Sequence, residues 1–169
     1  NSSPKNCDDI LGIDLLVMNI NPTIAYKINK QHSIGATLII GIQQFQAYGL
    51  TEFSKFTVSG TSEYLTNNSY DYSYGAGIRI GWLGKFNDDK LTLGAEYTSK
   101  TYMSKFDKYK ELFAEQGDLD TPGNIGLGIS YAATNNFLVA FDINYIMYSE
   151  VAAISNVGPT IGPGSPFPV

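Results

Sequence analysis

The sequence contains few residues that could carry out chemistry, and none of them has the partners that a reaction needs. The single histidine, His32, lies in a turn and has no serine or cysteine partner for a nucleophilic triad. Cys7 is the single cysteine, so it cannot form a disulfide within the chain. Asp118, Asp120 and Asn124 lack the full spacing of a calcium loop. We therefore expect no enzyme activity, no cofactor and no metal site.

The alternation of residue types along the sequence predicts β-strands. Period-two alternation of apolar and polar residues predicts six of them, at about 16–28, 33–48, 72–86, 91–102, 124–131 and 137–148. Short polar turns follow the first, third and fifth strands, whereas residues 49–71 and 103–123 form long loops and residues 150–169 an irregular tail. Bacterial outer-membrane barrels sort their connections in this way, with short periplasmic turns and longer extracellular loops. A bulge or kink is expected at Pro22, which has no N–H for the ladder.

Each predicted strand has an apolar face and a face of glycine and polar residues. In the third strand the two sets are Ala76, Ile78, Ile80 and Trp82, against Gly75, Gly77, Arg79 and Gly81. Glycine weakens a solvent-facing strand but suits a crowded interior. The apolar face also places Tyr26, Trp82, Tyr131 and Phe137 beside the short turns, like the aromatic girdle of a membrane barrel. The pattern favours an all-β antiparallel meander from a transmembrane outer-membrane β-barrel over a soluble sheet with one solvated face.

Composition sets limits on the class of protein. Hydrophobic residues make up 43% of the 169 residues, but no run of about 18 apolar residues predicts a transmembrane helix. The net charge of −5 and the scattered Lys and Arg residues argue against nucleic-acid binding. We interpret residues 1–169 as one domain. Because the sequence starts at Asn1 without an initiating Met or a signal peptide, we expect a processed or partial chain.

Charged residues also fall on the face predicted to line the lumen. They are Lys27, Arg79, Glu96, Lys100 and Asp142. One interpretation is a structural charge network of Lys27, Glu96, Lys100 and Asp142 that keeps the interior satisfied. The other is a cation that binds a substrate carboxylate, for which Arg79 is favoured because its planar fork matches carboxylate geometry.

The two long loops carry apolar residues that could meet a ligand. In the loop 49–71, Phe53 and Phe56 are the predicted substrate-binding residues, because one helical turn would place both rings on the same side. The alternative is a loop that packs on its neighbours. Residues 105–116 have aromatic and leucine side chains at helical spacing, which predicts a short helix capping the barrel mouth.

With this strand order, the sequence resembles the FadL-type family of outer-membrane transporters for long-chain fatty acids and other hydrophobic compounds. The matching stretches, in family order, are 22–29 with 33–35, 74–77 with 81–82, 91–97, 121–128, and 137–140 with Asp142. The resemblance implies a fourteen-stranded barrel, of which about six strands are present here. The family's N-terminal plug and aromatic-ended last strand have no counterpart in the sequence, which again leads us to expect a partial chain.

The resemblance implies passive uptake of a hydrophobic small molecule, a fatty acid or an aromatic hydrocarbon, across the outer membrane of a Gram-negative bacterium. Capture at extracellular loops would precede passage through a lumen pocket and release, in a monomer whose other partner is membrane lipid. Two alternatives stay open. A general diffusion porin would have a wide, charged, water-filled lumen, against which Ile39, Leu83 and Leu138 argue. A surface antigen or adhesin would use its loops to bind another protein.

Overall fold

The strands form one antiparallel sheet in which neighbours follow one another along the chain. The computed structural model describes residues 11–57, 59–134 and 136–155. The strands are β1 Gly12–Ile20, β2 Thr23–Lys27, β3 His32–Tyr48, β4 Asp71–Phe86, β5 Leu91–Thr98, β6 Tyr102–Met103, β7 Asn124–Thr134 and β8 Phe137–Ile146. Their order is β1-β3-β4-β5-β7-β8, with β2 beside β3 and β6 beside β4. The sheet curls as a half-barrel, which confirms the predicted all-β antiparallel fold.

Helical structure is confined to the connections and to the segment after β8. It comprises 3-10 helices at Thr51–Phe56, Asp107–Tyr109 and Tyr148–Glu150, a short α-helix at Ala152–Ser155 and a left-handed turn at Ala114–Gly117. None of these described helices is both long and apolar enough to cross a membrane. The helix predicted over residues 105–116 is wrong, because Glu115 and Gln116 adopt left-handed backbone that breaks the helical spiral. Cys7 and the tail beyond residue 155 lie outside the described residues.

Pro22 divides the first predicted strand into β1 and β2 without inserting a residue. Ile20 is opposite Ile40 and Thr23 is opposite Thr37, so both strands advance by three residues across the break. The carbonyl of Pro22 still accepts the N–H of Leu38 at 3.1 Å. The expected bulge is therefore absent. Proline removes a single donor from the ladder and leaves the register intact.

The fourth predicted strand does contain a bulge, between β5 and β6. Arg79 is opposite Thr98 and Ala76 is opposite Tyr102, so three steps along β4 match four on the partner. Ser99 bridges the irregularity, since its N–H donates to the carbonyl of Ile78 at 2.9 Å and its Oγ accepts the N–H of Ile78 at 3.0 Å. The extra residue disrupts the ladder locally, and bulges of this kind bend the strand that carries them.

Burial is inverted relative to a soluble sheet. On the apolar outer face, Ile24 is 79% exposed and Phe141 is 66% exposed, whereas Phe45 on the opposite face is 2% exposed. In β3 every second residue from Ile39 to Ala47 is buried. An outer face of this kind needs an apolar solvent, which a bilayer provides. We call the other face the lumen face, and we call the two ends of the sheet the long-loop end and the short-turn end.

The outer face ends in an aromatic cluster at the short-turn end. The ring of His32 stacks on Trp82 at 5.7 Å between centroids and meets the edge of Phe86 at 5.6 Å. Interpreting His32 as a solvated turn residue is wrong, because β3 begins at His32 and places its half-buried side chain on the outer face. The preceding turn is closed by Asn29, whose Oδ1 accepts the N–H groups of Gln31 and His32, both at 2.8 Å.

Candidate functional site

The lumen face is a continuous polar surface at mid-height. Strand register aligns Thr23, Thr37, Arg79 and Thr98 in one row across four strands. The hydroxyls of Thr23 and Thr37 are 2.8 Å apart, and Nε of Arg79 donates to Oγ1 of Thr98 at 2.9 Å. Within the described part of the chain, no ion pair involves Arg79. The row places a guanidinium group between the two ends of the lumen face.

Toward the short-turn end the lumen face holds a cavity of about 580 Å³. Its floor is glycine from four strands, namely Gly35, Gly81, Gly94, Gly126 and Gly128. Side chains of the flanking strands reach over the β7 glycines. A Cβ at Gly126 would stand 2.8 Å from Cγ of Glu96 and 2.9 Å from Oδ1 of Asn144, and one at Gly128 would stand 2.5 Å from Oδ1 of Asp142. Glycine therefore lets polar groups lie across this strand.

Toward the long-loop end the lumen face is covered by the chain itself. The connection between β6 and β7 folds inward, and Phe106 and Tyr109 become fully buried against Phe45 and Ala47 of β3. Ring centroids of Phe45 lie 4.9 Å from Tyr109, 4.9 Å from Phe113 and 5.6 Å from Phe106. Leu50, Leu112, Phe113 and Leu119 pack around this core. We call residues 103–123 the inserted loop.

Close packing of the inserted loop requires glycine beneath it. Gly41 and Gly75 are opposite each other on β3 and β4, and the thioether of Met103 lies over both. A Cβ at Gly75 would overlap the Met103 sulfur and the Tyr102 carbonyl, and one at Gly41 would stand 3.0 Å from that sulfur. The glycine-rich face was expected to suit a crowded interior, and at this end of the lumen face the interior is crowded by the inserted loop.

Polar contacts hold both ends of the inserted loop. Asp120 is 7% exposed. Its Oδ1 accepts the N–H of Met103 at 2.6 Å, and its Oδ2 lies 2.7 Å from Nζ of Lys100. Thr101 and Thr121 exchange backbone hydrogen bonds at 2.9 and 3.2 Å. Because one carboxylate joins the two ends, Asp120 stabilises the path of the whole loop.

The carboxylate of Asp118 lies next to that of Asp120 and has fewer hydrogen-bond partners. Oδ1 of Asp118 is buried and has no hydrogen-bond partner among the described residues. Burial and the neighbouring Asp120 raise the pKa of the Asp118 carboxyl above its ordinary value. Burial likewise raises the pKa of the Tyr109 hydroxyl, which donates to the carbonyl of Asn68 at 2.7 Å. That hydrogen bond joins the inserted loop to the other long loop.

The predicted site residues lie in four separate places. Phe53 is 52% exposed on the 3-10 helix Thr51–Phe56, which also contains Phe56. Arg79 lies at mid-height, and Lys27, Glu96 and Asp142 lie on the lumen face of β2, β5 and β8. Among the residues that the structure describes, these three form no ion pair with one another. Lys100 instead pairs with Asp120 in the inserted loop.

The sequence did not predict that the inserted loop packs against the lumen face of the sheet. The helical spacing of its aromatic residues predicts a helix that caps the barrel mouth, whereas the structure buries Phe106 and Tyr109 against β3. Phe45 carries a signal of its own, since it is the one aromatic residue on a face of β3 where small and polar residues otherwise predominate. Asp120 gave no such signal, because its partner Lys100 lies across the loop.

The curled antiparallel sheet, its apolar outer face and its glycine-rich lumen face show that the chain folds as part of an outer-membrane β-barrel. No family model matches the chain, and no curated protein sequence matches it. Among solved structures, the chain is similar to the toluene transporter TbuX of Ralstonia pickettii, with a TM-score of 0.59 and 15% sequence identity. The match covers 83% of this chain and 43% of the transporter, so the chain spans less than half of that protein's length. At this identity the likeness establishes a shared fold.

Proposed function

We propose that the chain is part of a FadL-type barrel through which hydrophobic small molecules cross the outer membrane of a Gram-negative bacterium. The observation that carries the proposal is the lumen face, where an aromatic, apolar core at the long-loop end lies above an open cavity at the short-turn end. A water-filled porin would not fill its lumen with Phe45, Phe106 and Tyr109. The fold likeness to a protein named as a toluene transporter supports the same class of cargo.

The proposed route begins at the long loop 49–71. Phe53 exposes an aromatic ring there, and Phe56 follows on the same 3-10 helix. A hydrophobic molecule that leaves water gains free energy by covering such a ring. The hydroxyl of Tyr70 donates to Oδ2 of Asp14 at 2.7 Å, which ties this loop to β1 and keeps it beside the barrel rim. Capture would therefore occur at the entrance of the lumen.

From there the cargo passes the inserted loop and Arg79 before it enters the cavity. The core around Phe45 occupies the long-loop end of this face, so a molecule that follows β3 has to displace the inserted loop during passage. Arg79 then offers N–H groups at mid-height, which suit the carboxylate of a fatty acid. An aromatic hydrocarbon would pass the same point without an ionic contact. Diffusion of this kind requires no cofactor, and we expect the barrel to act as a monomer.

Flux through the reconstituted barrel tests this proposal. In vesicles with an outer leaflet of lipopolysaccharide, which slows the entry of hydrophobic molecules, the protein should speed the uptake of a fluorescently labelled long-chain fatty acid or toluene, while glucose should stay excluded. Glucose entry at the same rate would support the porin instead. A barrel that passes neither probe, and whose loops bind a protein, would support the adhesin.

A double substitution tests capture at the outer loop. Phe53→Ser with Phe56→Ser should weaken binding of the fatty acid probe at least about tenfold, because burial of one such ring is worth about 1.5–3 kcal/mol. Glu52→Ser on the same exposed helix is the matched control and should leave binding unchanged. Unchanged affinity in a folded double variant would place the first contact elsewhere, most directly at Arg79.

A further inference from the structure

The outer face contains a groove of about 630 Å³ near the short-turn end. Two neighbouring rows of register partners form its sides across β2, β3, β4, β5 and β7. One row is Tyr26, Ile34, Trp82, Ala95 and Leu127, and the other is Ile24, Ala36, Ile80, Tyr97 and Ile125. The groove therefore runs across the strands at one level of the sheet.

Small residues create this groove on a face that is otherwise bulky. Ala36 and Ala95 occupy diagonal positions in the two rows, where the other members are aromatic or branched aliphatic side chains. Between the rows lies the backbone of Gly35, Gly81 and Glu96, whose side-chain positions belong to the lumen face. The floor is thus formed by backbone and two methyl groups, and the walls are formed by rings and branched chains.

The position of the groove restricts its occupant. It is continuous with the outer face, which the fold turns toward lipid. Its side-chain lining is apolar apart from the Tyr26 and Tyr97 hydroxyls and the Trp82 N–H, so water there would have few hydrogen-bond partners. Strands of membrane barrels tilt by roughly 35–45°, so a groove perpendicular to them is also inclined to the membrane normal. A flexible hydrocarbon chain can follow such an inclined path.

We propose that this groove binds one acyl chain of a bilayer phospholipid. Ala36 and Ala95 provide the space, and Trp82 and Tyr97 contact the chain from opposite rows. A chain seated between the rows gains contacts on several sides that a lipid on a flat part of the barrel lacks. The site is separate from the proposed transport route, because it lies on the other face of the sheet.

Quenching of Trp82 by brominated phospholipid tests the proposal directly, because Trp82 is the single tryptophan of the sequence. The protein is reconstituted in nanodiscs of a phosphatidylcholine with methyl-branched chains, which fit the narrow groove poorly, together with a small mole fraction of straight-chain phosphatidylcholine brominated near the chain end. Emission that is lost in a Trp82→Phe blank is assigned to Trp82. The straight chain should occupy the groove with a preference of about fourfold over its share of the lipids, which is what one extra buried methylene would give.

Filling the groove should remove this preference. Ala36→Phe and the milder Ala95→Leu should return quenching to the random level, whereas Ala76→Phe, on the same face but outside the groove, should not. Random quenching in the parent protein would overturn the proposal and leave ordinary lipid contact. Quenching below the random level would overturn it in favour of a protein surface that covers the groove. Since the parent alone decides between these outcomes, the test stands even if a variant fails to fold.

Discussion

The two ends of the lumen face belong to the same strands but are filled in different ways. At the long-loop end, β3 presents Phe45 and Ala47, which are buried under the inserted loop. At the short-turn end the same strand presents Ser33 and Gly35, which line an open cavity. The side chains of the strand differ with what lies opposite them, the inserted loop at one end and open space at the other. The buried core of the described chain is therefore made by a sheet and a loop rather than by two sheets.

The outer face shows no such difference between its ends. Ile24 near the short-turn end and Tyr74 near the long-loop end are both well exposed and both lie on the apolar side of their strands. In an outer-membrane barrel this face is the one turned toward lipid, and one chemical environment selects one kind of side chain. The lumen face has two environments, loop and open cavity, and its side chains differ accordingly.

The largest expected effect comes from the core at the long-loop end. Phe106→Ala should lower the free energy of unfolding by about 3–5 kcal/mol, the usual cost of deleting a fully buried aromatic ring. Urea titration of the protein in lipid vesicles measures this difference. Phe53→Ala removes a half-exposed ring from the neighbouring loop and should cost far less. Equal losses would mean that the inserted loop contributes no core.

An arginine placed on the outer face should have a larger effect on stability than an arginine placed on the lumen face. Ile80→Arg places a charge on the outer face and should destabilise the inserted barrel by about 2–4 kcal/mol near the midplane. Ala140→Arg places the same charge on the exposed lumen face of β8 and should have a small effect. The folded fraction in bilayers, read from gel mobility without heating, measures both. If Ile80→Arg folds as well as the parent, the faces are assigned incorrectly.

Two glycines near the short-turn end allow a finer comparison. A Cβ at Gly84 would stand 2.5 Å from Cζ2 of Trp82, whereas a Cβ at Gly94 would meet nothing within 4 Å. Gly84→Ala should therefore cost about 1–3 kcal/mol through overpacking of the aromatic cluster. Gly94→Ala should be neutral or stabilise by about 0.4–1 kcal/mol, because alanine restricts the unfolded chain. Urea titration compares the two, and a larger loss at Gly94 would contradict the positions of these rings.

The smallest expected effect is a change in the stability of the inserted loop with pH. The raised pKa of Asp118 means that the folded state favours the neutral carboxyl. Stability should fall as pH rises from the ordinary value of 3.8 through the higher pKa of the folded state. Asp118→Asn removes a charge that burial and the neighbouring Asp120 disfavour, and it should stabilise the loop at neutral pH by roughly 1 kcal/mol, the lower end of the cost of a buried polar group without a partner.

Hydrogen exchange of the inserted loop at several pH values measures this difference. The gap between Asp118→Asn and the parent should close below pH 3.8, where both states of the parent are protonated. A variant that is less protected at neutral pH would show that the ionised carboxylate is needed. Ser104→Ala is unsuitable as a control because its hydroxyl accepts the Tyr74 N–H at 3.0 Å. Asp107→Asn, which is exposed in the same loop and is not among the charges that raise the Asp118 pKa, is the better match.

Much of the fold was predictable because its signal is local. Alternation in β3, β4, β5, β7 and β8 placed the strands within a few residues, and it assigned Arg79, Glu96 and Asp142 to one face. The break at Pro22 was expected from the missing N–H, although its form was not. The bulge at Ser99 had no local signal, since it depends on register against β4. The candidate site was harder to predict from the sequence, because Lys100 contacts Asp120 only when the inserted loop folds back on itself.

The sequence by itself determined the strands, their two faces and the aromatic residues beside the short turns. These follow from side chains that alternate every second residue, a rule that holds within each strand. Only the tertiary structure decided that residues 103–123 fold into the lumen, that His32 stacks on Trp82, and that Ala36 and Ala95 share a groove. Each of these arrangements joins residues far apart in the chain. The curl and register of the whole sheet bring them together, and neither property is encoded in any single strand.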